Sequence, residues 1–433
     1  MTSPIQRSHF ANQLDETLIG HKISIGGWIE DIRDIGKLVF LMVRDITGVV
    51  QVVITEDKIH LIKNVPRQSS IILSGLVQMS KAKDFAVEVK VEDLTVFTKA
   101  IHPLPIDPTG RIESVLDKRL DSRALDLRNP KVSALFSIRS EALHIIRSTF
   151  QGKRFIEVNT PKIIGSATEG GANLFEFKYF RKNAYLAQSP QLYKEQLILA
   201  LDRVFEIGPY FRAEKSHTSR HLCEFLSVDV EAAFLDYGDM MDLVEDLIRN
   251  VSTGISKNCK HQIQTLEKGK NSVPIPNLKI ERLAYERCLE ELSNKGENIK
   301  FGDDLSDSSL TRLGQIHPGF YFITDWPISL KPFYIHEKED NPQLSESFDL
   351  QCGRLELVSG GRRHHDQAKL RRRLEEQGLD PGLFSDHLRC FTWGVPPHSG
   401  FGLGFDRLMM VMTNSKNIRD VVLYPRDTER LTP

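Results

Sequence analysis

The sequence predicts an α+β protein in two parts: a small N-terminal β-barrel and a larger domain built on an antiparallel sheet flanked by helices. Five short runs rich in β-branched and aromatic residues fall between residues 15 and 100. A proline-rich stretch, HPLPIDPTG, follows at residues 102–110. From about residue 130 onward, strands and helices are mixed without the regular βαβ order of a doubly wound sheet, which favours an antiparallel α+β arrangement.

The five N-terminal runs are short enough, and close enough together, to form one small Greek-key barrel. They read KISIGGWIEDI, KLVFLMVRD, GVVQVVI, SSIILSGLV and AVEVKVEDLTVF, with turn residues between them. The OB fold is the leading candidate for such a barrel. Three prolines between Pro103 and Pro108 stiffen the connection that follows. We therefore expect a barrel domain at 1–102, a linker at 103–130 and a second domain at 131–433.

The composition is typical of a soluble globular protein. The formal net charge of the 433 residues is −1, and 27% of them are charged, which does not argue against a basic face for nucleic acid. Five cysteines without CxxC spacing argue against a disulfide framework and a zinc knuckle. The first ten residues lack the apolar run of a signal peptide, and no apolar run reaches about 18 residues, so we expect a cytoplasmic protein with no membrane segment.

A predicted long hairpin at 203–233 carries polar side chains on the faces of its strands as well as at its tip. Reading RVFEIGPYFRAE as a strand places Arg212 and Glu214 on one face, and reading EFLSVDVEAA likewise places Phe225, Asp229 and Glu231 on one face. An exposed hairpin with a charged tip would explain the loop KSHTSRHL but not these alternating faces. Arginine forks bind phosphate oxygens in pairs and a phenyl ring can stack on a purine. The hairpin therefore predicts a nucleotide whose phosphates lie along the loop.

A second predicted hairpin, SFDLQCGRLELVSGGRR, suggests a metal site. A turn at Cys352-Gly353 would place Asp349 directly opposite Glu356. Opposed carboxylates repel each other unless a cation joins them. Mg²⁺ is the obvious cation, because proteins hold it with one or two carboxylates plus substrate phosphates. Two solvated acids on a surface hairpin are the alternative.

A third segment, GFGLGFDRLMMVM, changes from glycine alternation to a helical pattern. Gly400, Gly402 and Gly404 alternate, and Arg407 follows in the first helical turn. Alternating glycines allow a flat ligand to approach the backbone closely. The segment is not a dinucleotide-binding fingerprint, because no βαβ unit surrounds it.

Together these segments resemble the signature motifs of the class II aminoacyl-tRNA synthetases. FIEVNTP, ending at Pro161, resembles motif 1, the hairpin resembles motif 2, and GFGLGFDRL resembles motif 3. SATEGGANLFEFKYF, AQSPQLYKEQ and the ending VVLYPRDTERLTP are similar to aspartyl-tRNA synthetases of the archaeal and eukaryotic type. The resemblance covers nearly the whole chain, and motif 1 implies a homodimer.

The resemblance also implies site residues. Arg212 and Arg407 would be the catalytic cations, and Phe225 would stack on adenine. The implied ATP-binding residues are Arg212, Glu214, Arg220, His221, Leu222, Phe225, Glu356, Gly404 and Arg407. Those for aspartate are Glu169, Ser189, Gln191, Lys194, Asp229, Ser359 and Arg363, and those for Mg²⁺ are Asp349, Glu356 and Ser359. Phe40 and Gln51 of the barrel would contact the tRNA anticodon.

The implied reaction is the formation of aspartyl-adenylate from L-aspartate and ATP, followed by transfer to the 3′ end of tRNA(Asp), without a protein nucleophile. Bound asparagine would leave Lys194 and Arg363 without an anion, so charge is expected to select aspartate without an editing domain. Three alternatives stay open: a form that also aspartylates tRNA(Asn), an asparaginyl-tRNA synthetase, and a paralogue that only binds RNA. Lys194 argues against the second. The intact set Arg212, Asp349, Glu356 and Arg407 argues against the third.

Overall fold

The computed structural model describes residues 6–165, 174–267, 273 and 279–433. Contacts divide the chain into two compact units, one ending at Ser133 and one beginning at Ala134. Our division into 1–102, 103–130 and 131–433 stays a prediction. Among the described helices, none is long and apolar enough to cross a membrane.

The N-terminal unit is a closed barrel of five strands in the order β1-β2-β3-β5-β4. Only the contact between β3 and β5 is parallel. Alternate residues fill its interior, such as Val39, Leu41 and Val43 on one strand. The strands are β1 (Lys22–Asp34), β2 (Leu38–Arg44), β3 (Val49–Thr55), β4 (Ser70–Met79) and β5 (Val87–Thr98), followed by helices α1 (Leu116–Asp121) and α2 (Arg123–Asp126). The five predicted strands are confirmed.

The second unit is built on one large sheet. Its elements begin with α3 (Pro130–Gly152), which crosses the boundary between the units, then β6 (Ile156–Glu157), β7 (Ile163–Ile164), β8 (Glu176–Tyr179), β9 (Lys182–Leu186), α4 (Gln191–Leu201), β10 (Arg203–Phe211), β11 (Glu224–Ala233), α5 (Tyr237–Asn258), α6 (Lys260–Glu267), β12 (Glu281–Ala284), α7 (Tyr285–Ser293) and α8 (Asp307–Ile316). They continue with β13 (Phe320–Thr324), β14 (Ser347–Cys352), β15 (Leu355–Arg362), α9 (Gln367–Glu376), α10 (Ser385–Cys390), β16 (His398–Gly404) and α11 (Phe405–Met412).

The large sheet has the order β12-β13-β14-β15-β16-β11-β10-β6, and β7, β9 and β8 form a separate small sheet. The inner strands pair antiparallel, as predicted, whereas β12 with β13 and β6 with β10 pair parallel at the two edges. The sheet is therefore mixed. One of its faces packs on helices, with Ile138, Leu247 and Leu408 in the same core as Val228 and Val230. The polar residues that alternate with this core lie on the other face.

Two details of the predicted hairpins are wrong. Strand β10 ends at Phe211, so Arg212 and Glu214 belong to the loop and not to the strand face. The 347–362 hairpin turns one residue later than expected, and it contains a bulge between Leu350 and Gln351. As a result Asp349 lies opposite Ser359, and Glu356 lies opposite Gln351. A bulge inserts an unpaired residue, which shifts the register and changes which residues share a face.

Candidate active site

A cavity of about 330 Å³ opens on the polar face of the large sheet. It is lined by the 203–233 hairpin, the 347–362 hairpin and the β16–α11 junction, which are the three segments singled out in the sequence. Of the predicted site residues, it brings together Ser189, Gln191, Arg212, Glu214, Arg220, His221, Leu222, Phe225, Asp229, Glu356, Ser359, Arg363, Gly404 and Arg407. Lys194 and Asp349 lie buried beside this lining. Glu169 lies outside the described residues.

One end of the cavity is a closed network of charges. The Nζ atom of Lys194 is 3.2 Å from Asp229 Oδ1 and 3.5 Å from Glu231 Oε2. Arg363 Nε donates to Glu231 Oε1 at 3.1 Å. None of the four side chains exposes more than 5% of its surface. Two cations and two carboxylates therefore balance one another in a buried place, where an unpaired charge would be costly.

Glu231 is the residue of this network to which the sequence analysis gave no role. Its place on the same predicted strand face as Asp229 was the signal that could have identified it. It also corrects the argument for aspartate selection. Lys194 and Arg363 already have carboxylate partners, so binding asparagine would not leave them without an anion.

The backbone of Gly400 makes room for Glu231. These two residues are paired across strands β11 and β16. A Cβ atom built on Gly400 would lie 2.1 Å from Glu231 Oε2 and 2.3 Å from the carbonyl oxygen of Val230. No side chain fits there without moving backbone, so a glycine is required for close approach.

The two arginines of the GGRRHH segment have different surroundings. Arg363 lines the cavity, with its guanidinium 5.3 Å from the centre of the Tyr334 ring. Arg362 instead pairs with Glu346, its Nη1 donating to Oε2 at 3.0 Å. Of the two arginines, Arg363 therefore faces the cavity and Arg362 does not line it.

The other end of the cavity is rich in cations. The guanidinium of Arg212 lies 5.4 Å from the centre of the Phe225 ring. Arg407 Nη1 donates to the carbonyl oxygen of Glu356 at 3.0 Å. Burial lowers the pKa of Arg407, and the charges of Arg212 and Arg220 lower it further, against the opposing effect of Glu356. Such crowding of like charge is relieved by a polyanionic ligand.

Two further predicted phosphate ligands border this end. The Nδ1 atom of His221 is 2.7 Å from Thr218 Oγ1. Burial and then the charge of Arg407 lower the pKa of His221. Arg220 lines the cavity, but its guanidinium pairs with Asp307, an exposed residue of α8.

The predicted metal carboxylates lie near each other diagonally instead of face to face. The bulge puts Glu356 and Ser359 on one face of β15, and Asp349 is on the facing strand. Burial raises the pKa of Glu356, and the neighbouring Asp349 carboxylate raises it further. Asp349 Oδ2 accepts from Lys331 Nζ at 2.8 Å, whereas its buried Oδ1 has no hydrogen-bond partner among the residues that the structure describes.

These residues fit a divalent cation that is shared with a ligand. The described residues contain no group of three or more His, Cys, Asp or Glu side chains arranged to hold a metal on their own. One or two carboxylates completed by phosphate oxygens are a usual site for Mg²⁺. A divalent cation would supply a partner for Asp349 Oδ1 and would lower the raised pKa of Glu356. Lys331 was not foreseen in the sequence.

In the N-terminal unit, Phe40 and Gln51 share one face of the barrel. Phe40 pairs with Val53 across β2 and β3, and Gln51 pairs with Met42. These positions alternate with the core residues, so Phe40 is not part of the barrel interior. Gln51 Nε2 donates to Glu88 Oε2 at 2.6 Å, which fixes the orientation of its amide.

Comparisons with known proteins agree with this geometry. Residues 116–428 match the family model described as tRNA synthetases class II (D, K and N), and residues 23–97 match that of an OB-fold nucleic acid binding domain. Similar curated proteins include the aspartate–tRNA(Asp/Asn) ligase of Saccharolobus solfataricus, 43% identical over 99% of this chain and 100% of that protein. The aspartate–tRNA(Asp) ligase of Pyrococcus horikoshii is 42% identical over 99% of this chain and 100% of its own length.

Among solved structures, the chain resembles the asparaginyl-tRNA synthetase of Pyrococcus horikoshii complexed with asparaginyl-adenylate. The TM-score is 0.92 at 32% identity, over 99% of this chain and 100% of that one. An aspartyl-tRNA synthetase from Entamoeba histolytica gives a TM-score of 0.86 at 28% identity, over 98% of this chain and 92% of that one. The family match over most of the chain, the relatives, and the two hairpins and the β16–α11 junction gathered around one cavity lead to one conclusion: the chain belongs to the class II aminoacyl-tRNA synthetases of the D, K and N group, with an N-terminal OB-fold domain.

Proposed function

We propose that this synthetase activates L-aspartate with ATP and transfers it to tRNA(Asp). The observation that carries the proposal is the division of one cavity into a closed end, with Arg363 held by Glu231, and a cation-rich end around Arg212 and Arg407. The first end suits a small dicarboxylic acid and the second suits a triphosphate. Relatives at 42–43% identity over nearly the whole chain are named as aspartate–tRNA ligases.

The chain's own residues would act by positioning and by neutralising charge. Phe225 would stack on adenine, and Arg212, which lies beside that ring, would hold the α-phosphate next to the aspartate carboxylate. The carboxylate oxygen then attacks the α-phosphorus in line, and pyrophosphate leaves. Arg407 and His221 would bind the outer phosphates. In the second step a hydroxyl of the terminal ribose of tRNA attacks the activated carbonyl carbon, the acyl–phosphate bond breaks, and AMP leaves while the hydroxyl gives up its proton. Neither step requires a protein nucleophile.

Mg²⁺ would be held by Asp349, Glu356 and Ser359 together with the phosphates. When bound, Mg²⁺ neutralises part of the negative charge on the ATP phosphates. Lys331, which pairs with Asp349 at 2.8 Å, supplies a positive charge to the same carboxylate.

Selection of aspartate over asparagine follows from donor geometry, since the charges of Lys194 and Arg363 are already balanced. Two of the N–H groups of Arg363 donate to Glu231, at 3.1 and 3.4 Å, which leaves part of its planar fork for a ligand. Lys194 has acceptors in Asp229, Val230 and Phe401, so it chiefly supports the network. A carboxylate offers the fork of Arg363 two acceptor oxygens, whereas an amide offers one oxygen and one donor.

Asparagine is the second candidate substrate, because a solved relative at 32% identity is an asparaginyl-tRNA synthetase. The deciding experiment is ATP–pyrophosphate exchange with aspartate and asparagine supplied separately. We expect exchange with aspartate and at most weak exchange with asparagine. Stronger exchange with asparagine would overturn the proposal, and no exchange with either would favour a paralogue that only binds RNA.

The barrel is the proposed anticodon-binding surface. Phe40 can stack on an unpaired base, and Gln51, oriented by Glu88, can offer its amide oxygen to a base edge. Relatives carry either the tRNA(Asp) or the tRNA(Asp/Asn) name, so aspartylation of separate tRNA(Asp) and tRNA(Asn) transcripts is needed to assign the tRNA. A Phe40→Ala variant should weaken tRNA binding about 5- to 150-fold and leave pyrophosphate exchange unchanged. We also propose that the protein is a homodimer and is located in the cytoplasm.

A further inference from the structure

The junction between β16 and α11 holds a buried carboxylate to which the proposed reaction assigns no role. Phe405 and Asp406 stand between Gly404 and Arg407, and their exposed fractions are 0% and 2%. Phe405 is fully enclosed in the helix-side core. A buried carboxylate is costly unless it is paired, so the partners of Asp406 show what it does.

Asp406 joins three segments that are far apart in the sequence. Its Oδ2 accepts a hydrogen bond from the backbone N–H of Leu226 on β11 at 2.8 Å. Its Oδ1 lies 2.6 Å from Nη1 of Arg139 on α3. The guanidinium of Arg139 also lies 4.7 Å from the centre of the Phe405 ring. One carboxylate therefore connects helix α3 with the hairpin of motif 2 and the junction of motif 3.

The hydrogen bond between Asp406 and Leu226 lies at the end of a strand ladder, next to the residues proposed to bind ATP. The β11–β16 ladder ends with the pair Ser227 and Gly404, so the N–H of Leu226 lies just beyond it. The carboxylate of Asp406 supplies the acceptor that the strand no longer offers. Leu226 follows Phe225, and Asp406 precedes Arg407. The bond therefore fixes the distance between the ring proposed for adenine and the guanidinium proposed for the outer phosphates.

We propose that Arg139 and Asp406 are positioning residues for the nucleotide end of the site. Arg139 forms an ion pair with the Asp406 carboxylate and stacks on Phe405. The same carboxylate accepts the hydrogen bond from Leu226 on β11. Loss of the pair would let Phe225 and Arg407 move relative to each other. The closed network around Arg363 belongs to other contacts and would keep its geometry. This inference rests on the proposed function, because its test requires adenylate formation.

The test is ATP–pyrophosphate exchange with each substrate varied in turn. Arg139→Met should raise KM for ATP about tenfold or more and leave KM for aspartate within about twofold. Arg139→Lys should recover part of this loss, because it keeps the charge but not the planar stacking on Phe405. Arg287→Met is the control, since it removes a helix arginine that, like its partners Glu290 and Glu291, is absent from the cavity lining. It should change neither value.

A double-mutant cycle separates positioning from general support of the fold. Asp406→Asn keeps an acceptor for Leu226 but loses the ion pair, so it should raise KM for ATP in the same direction. In that background, Arg139→Met should add little, since the two side chains act as one unit. Unchanged KM values, equal rises for both substrates, or additive effects of the two substitutions would each overturn the inference. Absence of exchange by the unaltered enzyme would instead count against the proposed function.

Discussion

The two ends of the cavity differ in how their charges are balanced. At the amino-acid end, Lys194 and Arg363 are matched by Asp229 and Glu231, and the group is buried and neutral before any ligand arrives. At the nucleotide end, Arg212 and Arg407 share a cavity wall, and burial first and then the charge of Arg212 lower the pKa of Arg407. Under the proposed function, the closed end would select aspartate by the geometry of its donors, and the open end would attract the triphosphate by its positive charge.

The largest effect that would test this contrast is expected from Arg363→Met. It removes the proposed fork for the substrate and leaves Glu231 buried without its main partner. A hydrogen bond to a charged group contributes about 1.5–3 kcal/mol, so loss of the two that the fork would donate to the substrate should lower kcat/KM for aspartate about 10²- to 10⁴-fold. Exchange kinetics should show a much smaller change in KM for ATP.

Arg362→Met is the control for this prediction. Its guanidinium pairs with half-buried Glu346 and is absent from the cavity lining. We expect aspartate activation within a few-fold of the unaltered enzyme. A larger loss for Arg362→Met than for Arg363→Met would reverse the assignment of the two arginines.

Gly400→Ala should disrupt the charge network at the closed end of the cavity by displacing the backbone beside Glu231. The added methyl group would stand 2.3 Å from the Val230 carbonyl oxygen, so strands β11 and β16 would have to separate. Overpacking of this kind costs roughly 1–3 kcal/mol of folding free energy. We expect a lower midpoint in thermal unfolding together with a raised KM for aspartate. Gly152→Ala, at a position with open space around it, should leave both unchanged.

Arg407→Gln should weaken the open end alone. A hydrogen bond to a charged group contributes about 1.5–3 kcal/mol, so KM for ATP should rise roughly 10- to 150-fold. KM for aspartate should change little, because the network around Arg363 does not include Arg407. Equal changes in both KM values would show that the two ends are not independent.

The smallest effect concerns pH. Burial and the charge of Arg407 lower the pKa of His221, so the imidazole is neutral in the empty site near pH 7. Bound phosphates would favour its protonated form and raise that pKa again, so ATP binding takes up a proton. ATP affinity should therefore increase, by less than about tenfold, as the pH falls from 8 to 6. In titrations of both proteins, His221→Gln should have a flatter profile than the unaltered enzyme, and identical profiles would exclude His221 as the cause.

Strand faces with a regular alternation were predicted correctly from the sequence. Phe225 and Asp229 share a strand face in the structure as in the alternation, because side chains of a strand alternate whatever surrounds it. Errors arose where a pattern is interrupted. The later turn and the bulge between Leu350 and Gln351 together moved the partner of Asp349 from Glu356 to Ser359, and no propensity in SFDLQCGRLELV marks the bulge.

By itself, the sequence determined the five barrel strands, the mixture of strands and helices that follows, and the three motifs that place Arg212, Asp229 and Arg407 in a class II synthetase. These depend on short periodic patterns and on residue types at fixed spacing, which are local properties. Only the tertiary structure decided that Glu231 neutralises Lys194 and Arg363, that Lys331 pairs with Asp349, and that Arg139 meets Asp406. Each of these contacts joins different elements of the fold. Their existence depends on how strands and helices pack, which no local pattern specifies.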